Sequence, residues 1–330
     1  MTLQPVETLL AAVLVLLLGH LLNRLIPPLA QYNIPAPITG GLLFALGLLL
    51  AGSSTGFSLE FDVTLRPVLL LSFFAAVGLS ANLALLRQGG KRLLLFVMVL
   101  APFLVLQNLT GLLLAWSLDL HPLMGLIGGT ITLVGGHGTG AAYAERFAEV
   151  HNIQAIMELA MTGATLGLVL GGLCGGPLAQ WLIRRHRLAG ADGHATEVQP
   201  SGDGDAAPIS AASLVPVLAA VLIAVLAGQW LAELVSDAPV TLPSFLWCLL
   251  LGVLIRNGGH LIGLRLNDAA IELISGLALA LFLAMTMMAL NLASVASLAG
   301  PLLLILLGQV VVVLVYGGAL VYRAVGRDYE

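Results

Sequence analysis

Long apolar stretches, separated by short polar ones, run along the whole chain. They are near-continuous runs of Leu, Val, Ala, Ile and Gly rather than alternations of polar and apolar residues, so they favour helices over the strands of a membrane barrel. A helix needs about 20 such residues to cross the hydrocarbon core of a bilayer. The pattern predicts nine membrane-spanning helices, at residues 9–26, 37–52, 66–86, 93–117, 155–183, 213–234, 242–256, 269–291 and 300–323.

Basic residues are distributed asymmetrically around these predicted spans. If the polar stretch 184–210 is cytoplasmic, the nine spans place all but two of the 13 Lys and Arg residues on the cytoplasmic side; the exceptions are Arg66 and Arg146. Such a bias is typical of inner-leaflet loops, so it supports nine spans with an external N-terminus. Residues 184–212 are rich in Gly, Ala, Asp and Pro and predict a flexible cytoplasmic linker.

Parts of the first half of the chain recur in the second half. The first copy, residues 1–183, contains five predicted spans, an odd number, so the second copy, residues 213–330, enters the membrane from the opposite side. This predicts an all-α polytopic membrane protein with an inverted-topology repeat of five helices plus a re-entrant loop, as in secondary transporters. The matches, 208 or 209 residues apart, are LAAVL at 10–14 with 218–222, Pro35 with Pro243, and Asn82 with Asn291.

The composition agrees with a membrane protein and excludes several functions. Hydrophobic residues make up 59% of the chain and charged residues 9%, against about 25% charged residues in soluble domains. The net charge of −4 is dispersed and offers no basic stripe for nucleic acid. Cys174 and Cys248 lie in apolar segments without disulfide or metal-ligand spacing. No zinc-protease motif or intramembrane Ser/His/Asp set is present, so we do not expect an enzyme.

The run GGHGTGAA, residues 135–142, interrupts the apolar region between the fourth and fifth predicted spans. The roughly 14 apolar residues before it are too few to cross, and both ends of residues 121–150 belong on the same side. We therefore predict a re-entrant loop, which a membrane tolerates only beside protein or a water-filled cavity. Glycine opens the backbone amides to a ligand, and a helix starting at Ala141 would aim its free N–H groups into that cavity.

This loop predicts an anion site without arginine, because no Lys or Arg lies deep in any predicted span. An alternative is that the glycines only let a broken helix pack tightly. His137 has three open interpretations: a proton-coupling group, a hydrogen-bond donor to the ligand, or a buried histidine satisfied by the protein. The candidate ligand-binding residues of the loop are Thr130, Thr132, Gly135, Gly136, His137, Gly138, Thr139 and Gly140.

The fifth predicted span has two contrasting faces. Glu158, Thr162 and Thr165 share one face at 100° per residue, which predicts a ligand cavity or an ion pathway. The two threonines join the candidate substrate-binding residues. Alternatively, Glu158 lies at the outer end of the span in water. The opposite face predicts close packing against another helix and consists of Gly163, Gly167, Gly171 and Gly175.

Amide side chains occur in or near several predicted spans. Their oxygens suit a hard cation such as Na⁺, although interhelical hydrogen bonds would explain the same residues. The recurrence of Asn82 as Asn291 favours a symmetric role at the repeat interface. We expect sodium as the coupling ion, no other metal ion and no cofactor. The predicted sodium ligands are Asn82, Gln107, Asn108, Glu158 and Asn291, and Gln309 is a further amide of the same kind.

Four runs of the sequence resemble bacterial sodium/glutamate symporters, and the likeness covers essentially all 330 residues. They are ITLVGGHGTGAAYAE, YNIPAPITGGLL, FFAAVGLSANLALL and GATLGLVLGGLCGGPLAQWL. The resemblance implies two inverted five-helix repeats, each with a glycine-rich re-entrant loop, in a homodimer of the inner membrane. Family members carry a second glycine-rich motif in the second repeat. Its counterpart here would follow Glu330, so we expect the second repeat, with four spans, to be incomplete.

The resemblance also implies a function. We expect sodium-coupled uptake of L-glutamate by elevator-type alternating access, in a multi-pass protein of the bacterial inner membrane with a periplasmic N-terminus. Sodium would lower the electrostatic cost of the anion, so each ligand would tighten binding of the other. The alternatives are a proton-coupled carrier of another small carboxylate, a channel or scaffold, and a non-transporting fragment.

Overall fold

The computed structural model is all-α in its described part, apart from one pair of two-residue strands. It describes residues 2–32, 34–56, 59–84, 90–153, 155–186, 209–236, 242–259, 263–264 and 266–321. The helices are α1 (Pro5–Leu25), α2 (Pro27–Gln31), α3 (Ala36–Thr55), α4 (Leu65–Ser80), α5 (Gly90–Ser117), α6 (Pro122–Leu126), α7 (Gly136–His151), α8 (Ile156–His186), α9 (Ala211–Leu234), α10 (Ser244–Gly258), α11 (Asp268–Met288) and α12 (Leu292–Tyr316). Two π-helical turns, Ile127–Ile131 and Gly317–Val321, follow α6 and α12, and β1 (Thr2–Leu3) pairs in parallel with β2 (Glu60–Phe61).

Seven helices of the described part are long and apolar enough to cross a membrane. They correspond to seven of the nine predicted spans, and they identify a multi-pass membrane protein. The third and seventh predicted spans are the shorter apolar helices α4 and α10, of 16 and 15 residues. The count of nine spans therefore stays a prediction.

Helix α1 illustrates how these helices divide their surface by residue size rather than by polarity. Its small residues Ala12 and Gly19 are buried with Val15. The opposite face carries large leucines, each more than half exposed, as expected of a surface in contact with lipid. These leucines are Leu10, Leu14, Leu17 and Leu21.

The chain forms two compact units, and each unit draws on both halves of the sequence. Unit 1 comprises Met1–Pro27, Pro35–Leu86 and Gly202–Leu290, and unit 2 comprises Pro28–Ile34, Arg87–Ser201 and Asn291–Glu330. The predicted repeats, 1–183 and 213–330, are thus not the compact units. Instead, each predicted repeat contributes its first three predicted spans to unit 1 and its later spans to unit 2.

The helix pairs within unit 1 follow the predicted repeat. Helix α1 packs on α3, and likewise α9 packs on α10. Helix α4 packs on α10, and likewise α11 packs on α3. Helix α1 also contacts α11, and likewise α9 contacts α4. The repeat predicts α1, α3 and α4 as counterparts of α9, α10 and α11. Exchanging each helix for its counterpart leaves these six pairs unchanged, while the smaller contact between α9 and α11 has no equal between α1 and α4.

Small residues allow the helices of unit 1 to cross at short distance. A Cβ atom at Gly40 would overlap Val15 O and approach Gly19, where α3 crosses α1. A Cβ atom at Gly228 would lie 2.7 Å from Cys248 Sγ, where α9 crosses α10. Cys248 follows Gly40 by 208 positions, and Gly228 follows Gly19 by 209. The two crossings therefore fall at equivalent positions of the predicted repeat.

Unit 2 contains α5, α6, the first π-helical turn, α7, α8 and α12. Helix α5 crosses α6 at Gly111 and Gly125, and a Cβ atom on either glycine would overlap the carbonyl oxygen of the other. Tyr316 Oη donates a hydrogen bond to Val99 O at 2.7 Å, and this bond ties α12 to α5. These contacts hold the helices around the segment that was predicted to re-enter the membrane.

Two predicted spans extend too far at their C-terminal ends. Helix α4 ends at Ser80 and α11 at Met288, so Asn82 and Asn291 follow helix ends instead of lying within spans 66–86 and 269–291. Asn82 Oδ1 accepts a hydrogen bond from Ala84 N at 2.9 Å. Such local bonds compete with helical ones and favour termination, which hydropathy alone does not detect.

The predicted linker, 184–212, falls mostly outside the described residues. Helix α8 continues to His186, three residues beyond the predicted end of the fifth span, and α9 begins at Ala211. Ser210 caps α9 by accepting a hydrogen bond from Ser213 N at 3.3 Å.

Candidate functional site

A broken helical hairpin occupies the position of the predicted re-entrant loop. Helix α6 and the π-helical turn lead into the hairpin, and α7 leads back. His121 immediately precedes α6 and His151 is the last residue of α7, and their ring centroids lie 6.0 Å apart. The chain thus returns to the place from which the hairpin began.

The helix breaks at glycine residues on the way into the hairpin. Gly129 has non-helical backbone angles, φ −105° and ψ −130°. Gly135 N then donates to Thr130 O at 3.2 Å, and Gly136 has a φ of +71°. A left-handed φ is strained for residues with a side chain, so Gly136 is the residue type that this position requires.

The prediction that a helix opens at Ala141 was wrong, because α7 already begins at Gly136. Most of the glycine run is therefore helical. The physical reason is packing: a Cβ atom at Gly140 would lie 3.0 Å from Thr132 Cγ2 and 3.6 Å from Ala160 Cβ. Helix α7 needs small residues to lie this close to its neighbours, and that gain outweighs the low helix propensity of glycine.

The N-terminal end of α7 has the features of an anion-binding helix start. The N–H groups of Gly136, His137 and Gly138 have no carbonyl partner within the helix, because they belong to its first turn. Gly135 precedes them, and a Cβ atom there would lie 2.6 Å from both Ile131 O and Thr139 Cβ. Helix dipole and free amides together favour negative charge at this end.

His137 is buried and faces helix α8. Its Nε2 lies 3.1 Å from Thr165 Oγ1, so two of the predicted substrate-binding residues come together. Thr165 Oγ1 uses its own proton to donate to Met161 O at 2.8 Å. The threonine oxygen must then accept from His137, which assigns a proton to Nε2 of the ring.

Two threonines of the hairpin are held by hydrogen bonds inside unit 2. Thr132 is buried, and its Oγ1 donates to Ile127 O at 2.6 Å. Thr130 Oγ1 donates to Asn108 Oδ1 at 2.7 Å, which links the hairpin to α5. These bonds place one predicted sodium ligand, Asn108, directly beside the hairpin.

A pair of glutamines joins α5 to α12. Gln107 and Gln309 are completely or almost completely buried, and Gln309 Nε2 donates to Gln107 O at 2.9 Å. Gln107 was among the predicted sodium ligands and Gln309 was not. The two residues lie 202 positions apart, close to the offset of the predicted repeat.

The remaining predicted residues differ in unit and in burial. Asn82 belongs to unit 1, and Asn291 is an exposed residue at the start of the last segment of unit 2. Glu158 is the third residue of α8 and, like Thr162, is half-buried. No group of three or more His, Cys, Asp or Glu residues suited to a metal ion occurs within the described residues. The hydrogen bonds described above are made by hydroxyl, amide and imidazole groups.

The predicted glycine row of α8 packs closely along only half of its length. A Cβ atom at Gly163 would lie 3.5 Å from Thr132 Oγ1, and one at Gly167 would lie 2.5 Å from Leu133 Cδ2. Cβ atoms at Gly171 and Gly175 would have no neighbour within 4 Å in the described part. There the prediction of close packing was wrong, because these two glycines border a cavity instead.

The sequence reasoning missed the break at Gly129. The signal for it was the pair Gly128 and Gly129 within an otherwise apolar stretch. Gln309 was named as an amide of the same kind as the predicted sodium ligands, but its contact with Gln107 was not predicted.

Comparison with known proteins gives one consistent result. The family described as sodium/glutamate symporter matches residues 1–330. A sodium/glutamate symporter of Haemophilus influenzae is 38% identical over 335 residues, covering 100% of this chain and 83% of that protein. Sodium/glutamate symporters of Escherichia coli and Shigella flexneri are each 40% identical over 340 residues, covering 99% of this chain and 82% of theirs.

No solved structure matches the chain. The relatives are transporters rather than enzymes, in agreement with the sequence analysis. Because the family match spans every residue and the identities lie near 40%, the chain belongs to the sodium/glutamate symporter family.

Proposed function

We propose that the protein is a secondary active transporter that couples the uptake of L-glutamate to sodium. The observation that carries the proposal is the broken hairpin of unit 2, which returns to its origin at His121 and His151 and begins α7 with glycine. The names of the relatives supply the substrate and the ion. A break of this kind inside an apolar segment is typical of transporter binding sites.

The hairpin binds the carboxylates of the substrate through backbone amides. Gly136, His137 and Gly138 provide N–H groups at the positive end of α7, and glycine lets the ligand approach them. Thr139 and Gly140 form the next turn. The hydrogen bond to Thr165 holds the His137 ring in place. The role of this bond is therefore to position the start of α7.

The re-entrant course of the hairpin belongs to an inverted repeat of five helices, residues 1–183 and 213–330. Most helix pairs of unit 1 are unchanged when the two halves are exchanged, which supports this repeat. So do the equivalent helix crossings at Gly40 and Gly228. We expect nine spans and a cytoplasmic linker at 184–212, with the N-terminus in the periplasm of a bacterial inner membrane.

An elevator-type mechanism in a homodimer completes the proposal. In such a mechanism, one compact part of the protein carries the bound solute across the membrane. The hairpin lies entirely within unit 2, and each unit contains corresponding parts of both halves of the chain. This division supports unit 2 as the part that carries glutamate.

Uptake of labelled L-glutamate into proteoliposomes tests the function. We expect saturable uptake that is at least roughly tenfold faster with an inward sodium gradient than with an equal potassium gradient, because bound sodium favours binding of the anion. Empty liposomes are the control. Equal uptake in potassium would overturn the coupling, and uptake proportional to concentration without counterflow would indicate a channel.

A further inference from the structure

A cavity lies within unit 2, bordered by helices α5, α8 and α12. Its volume is about 280 Å³, which is room for several water molecules or a small solute. Gly171 and Gly175 leave space on one wall, and Phe103 and Leu314 lie among its apolar lining residues. Gln107 and Gln309 are the only described lining residues whose side chains carry oxygen.

Both glutamines present an oxygen atom without a partner. Gln107 is 1% exposed and Gln309 is 0% exposed, and neither Oε1 atom has a hydrogen-bond partner in the described part of the chain. Buried carbonyl oxygens are costly to leave unsatisfied. Two of them, in residues that line one cavity, indicate a partner that the described part of the chain does not supply.

The orientation of Gln309 is fixed by the protein. Its Nε2 donates to the main-chain oxygen of Gln107 at 2.9 Å. A flipped amide would place two oxygens against each other, so Oε1 must be the atom that remains unpaired. The side chain therefore holds its oxygen ready for a donor or a cation.

The glutamine pair adjoins the break in the hairpin. A Cβ atom at Gly129 would lie 3.3 Å from Gln309 Nε2, 3.7 Å from Asn108 Oδ1 and 3.7 Å from Gln107 O. Asn108 in turn accepts the bond from Thr130. The glutamine pair therefore lies beside the backbone of the broken hairpin at Gly129.

We propose that Oε1 of Gln107 and Oε1 of Gln309 form a binding site for a monovalent cation. The proposal rests on the function proposed above, which supplies two such cations: Na⁺ and the α-ammonium group of L-glutamate. Neutral carbonyl oxygens suit both. A divalent ion such as Ca²⁺ requires carboxylates, which the described lining residues do not provide. Each half of the chain contributes one ligand.

Thermal unfolding of the purified full chain tests the site. In a first series, the midpoint Tm is measured at increasing NaCl concentrations, with KCl added to keep the ionic strength constant. In a second series, Tm is measured with L-glutamate and with glutarate, which has both carboxylates but lacks the amine. The variants are Gln107→Leu, which removes the oxygen, and Gln107→Glu, which keeps an oxygen there and adds a negative charge that favours a cation. The matched control is Gln180→Leu, an exposed glutamine of α8 outside the cavity.

Two results would support the site and identify the cation. If the cation is Na⁺, Gln107→Leu raises the half-saturating Na⁺ concentration roughly tenfold or more without substrate. If it is the ammonium group, the Na⁺ response stays unchanged and stabilisation by glutamate falls to that by glutarate. In both cases Gln107→Glu strengthens the affected response and Gln180→Leu behaves as the wild type.

Other results would overturn the site. If Gln107→Leu folds and keeps both responses within about twofold of the wild type, the glutamine oxygens bind no cation. If Gln107→Leu does not fold, Gln107→Glu decides, because a carboxylate beside the cation must strengthen the response to Na⁺ or to the amine. Responses of Gln107→Glu that are unchanged or lost contradict the proposal. A wild type that responds to neither ligand overturns the proposed function itself, together with this site.

Discussion

A single threonine decides which nitrogen of the His137 ring carries a proton. Thr165 donates to Met161 O and must therefore accept from His137 Nε2. Of the three interpretations left open by the sequence, this bond favours a histidine that is satisfied by the protein on one side. Sequence spacing indicated that Thr165 and Glu158 share a face of α8, but spacing alone does not predict that the ring of His137 reaches that face.

Replacing this acceptor tests the assignment. Thr165→Val leaves the Nε2 proton of His137 buried without a partner, which we expect to cost about 1–3 kcal/mol of stability. Glutamate affinity should fall with it, because His137 stands in the first turn of α7. Thr165→Ser, which keeps the hydroxyl, should restore both the Tm and the affinity. Equal Tm values for the two variants would show that the bond contributes nothing.

At the scale of one element, the hairpin shows what sequence reasoning predicts well and where it fails. The position of the interruption was predictable, because an apolar run of about 14 residues is too short to cross a membrane. The helical state of Gly136 to Gly140 was not. Glycine has low helix propensity in isolation, and only the tight contacts with Thr132 and Ala160 reveal why it is preferred.

The glycine at the start of α7 offers a sharp test of this element. Gly136→Ala introduces a side chain at a φ of +71°, and we expect it to destabilise the hairpin by about 1–2 kcal/mol. Sodium-dependent glutamate uptake should fall accordingly. Gly176→Ala is the matched control, because a Cβ atom there has no neighbour within 4 Å and the backbone is helical. Similar losses in both variants would argue against a special role of the left-handed backbone.

At the scale of the molecule, recurring residues gave more information than hydropathy did. The offset of about 208 residues predicted which helices correspond, and the helix pairs of unit 1 follow that correspondence. Hydropathy did not predict that the chain would divide into two units drawn from both halves, since it describes each span separately. It also placed the C-terminal ends of two spans too far along the chain, because α4 ends at Ser80 and α11 at Met288.

The topology of the whole molecule makes a prediction that joins the hairpin to the repeat. Single cysteines are introduced at Ser117, Glu149 and Ala211 in a chain with Cys174→Ala and Cys248→Ala. Ser117 and Glu149 flank the hairpin and are exposed, as is Ala211 beyond α8. A re-entrant hairpin keeps the first two positions on one side, while α8 crosses the membrane before Ala211. A membrane-impermeant maleimide should therefore label Ser117→Cys and Glu149→Cys in intact cells, and Ala211→Cys only after the membrane is opened. Labelling of Ser117→Cys and Glu149→Cys from opposite sides would mean that the hairpin crosses the bilayer, which would reverse the orientation of every later helix and contradict the inverted repeat.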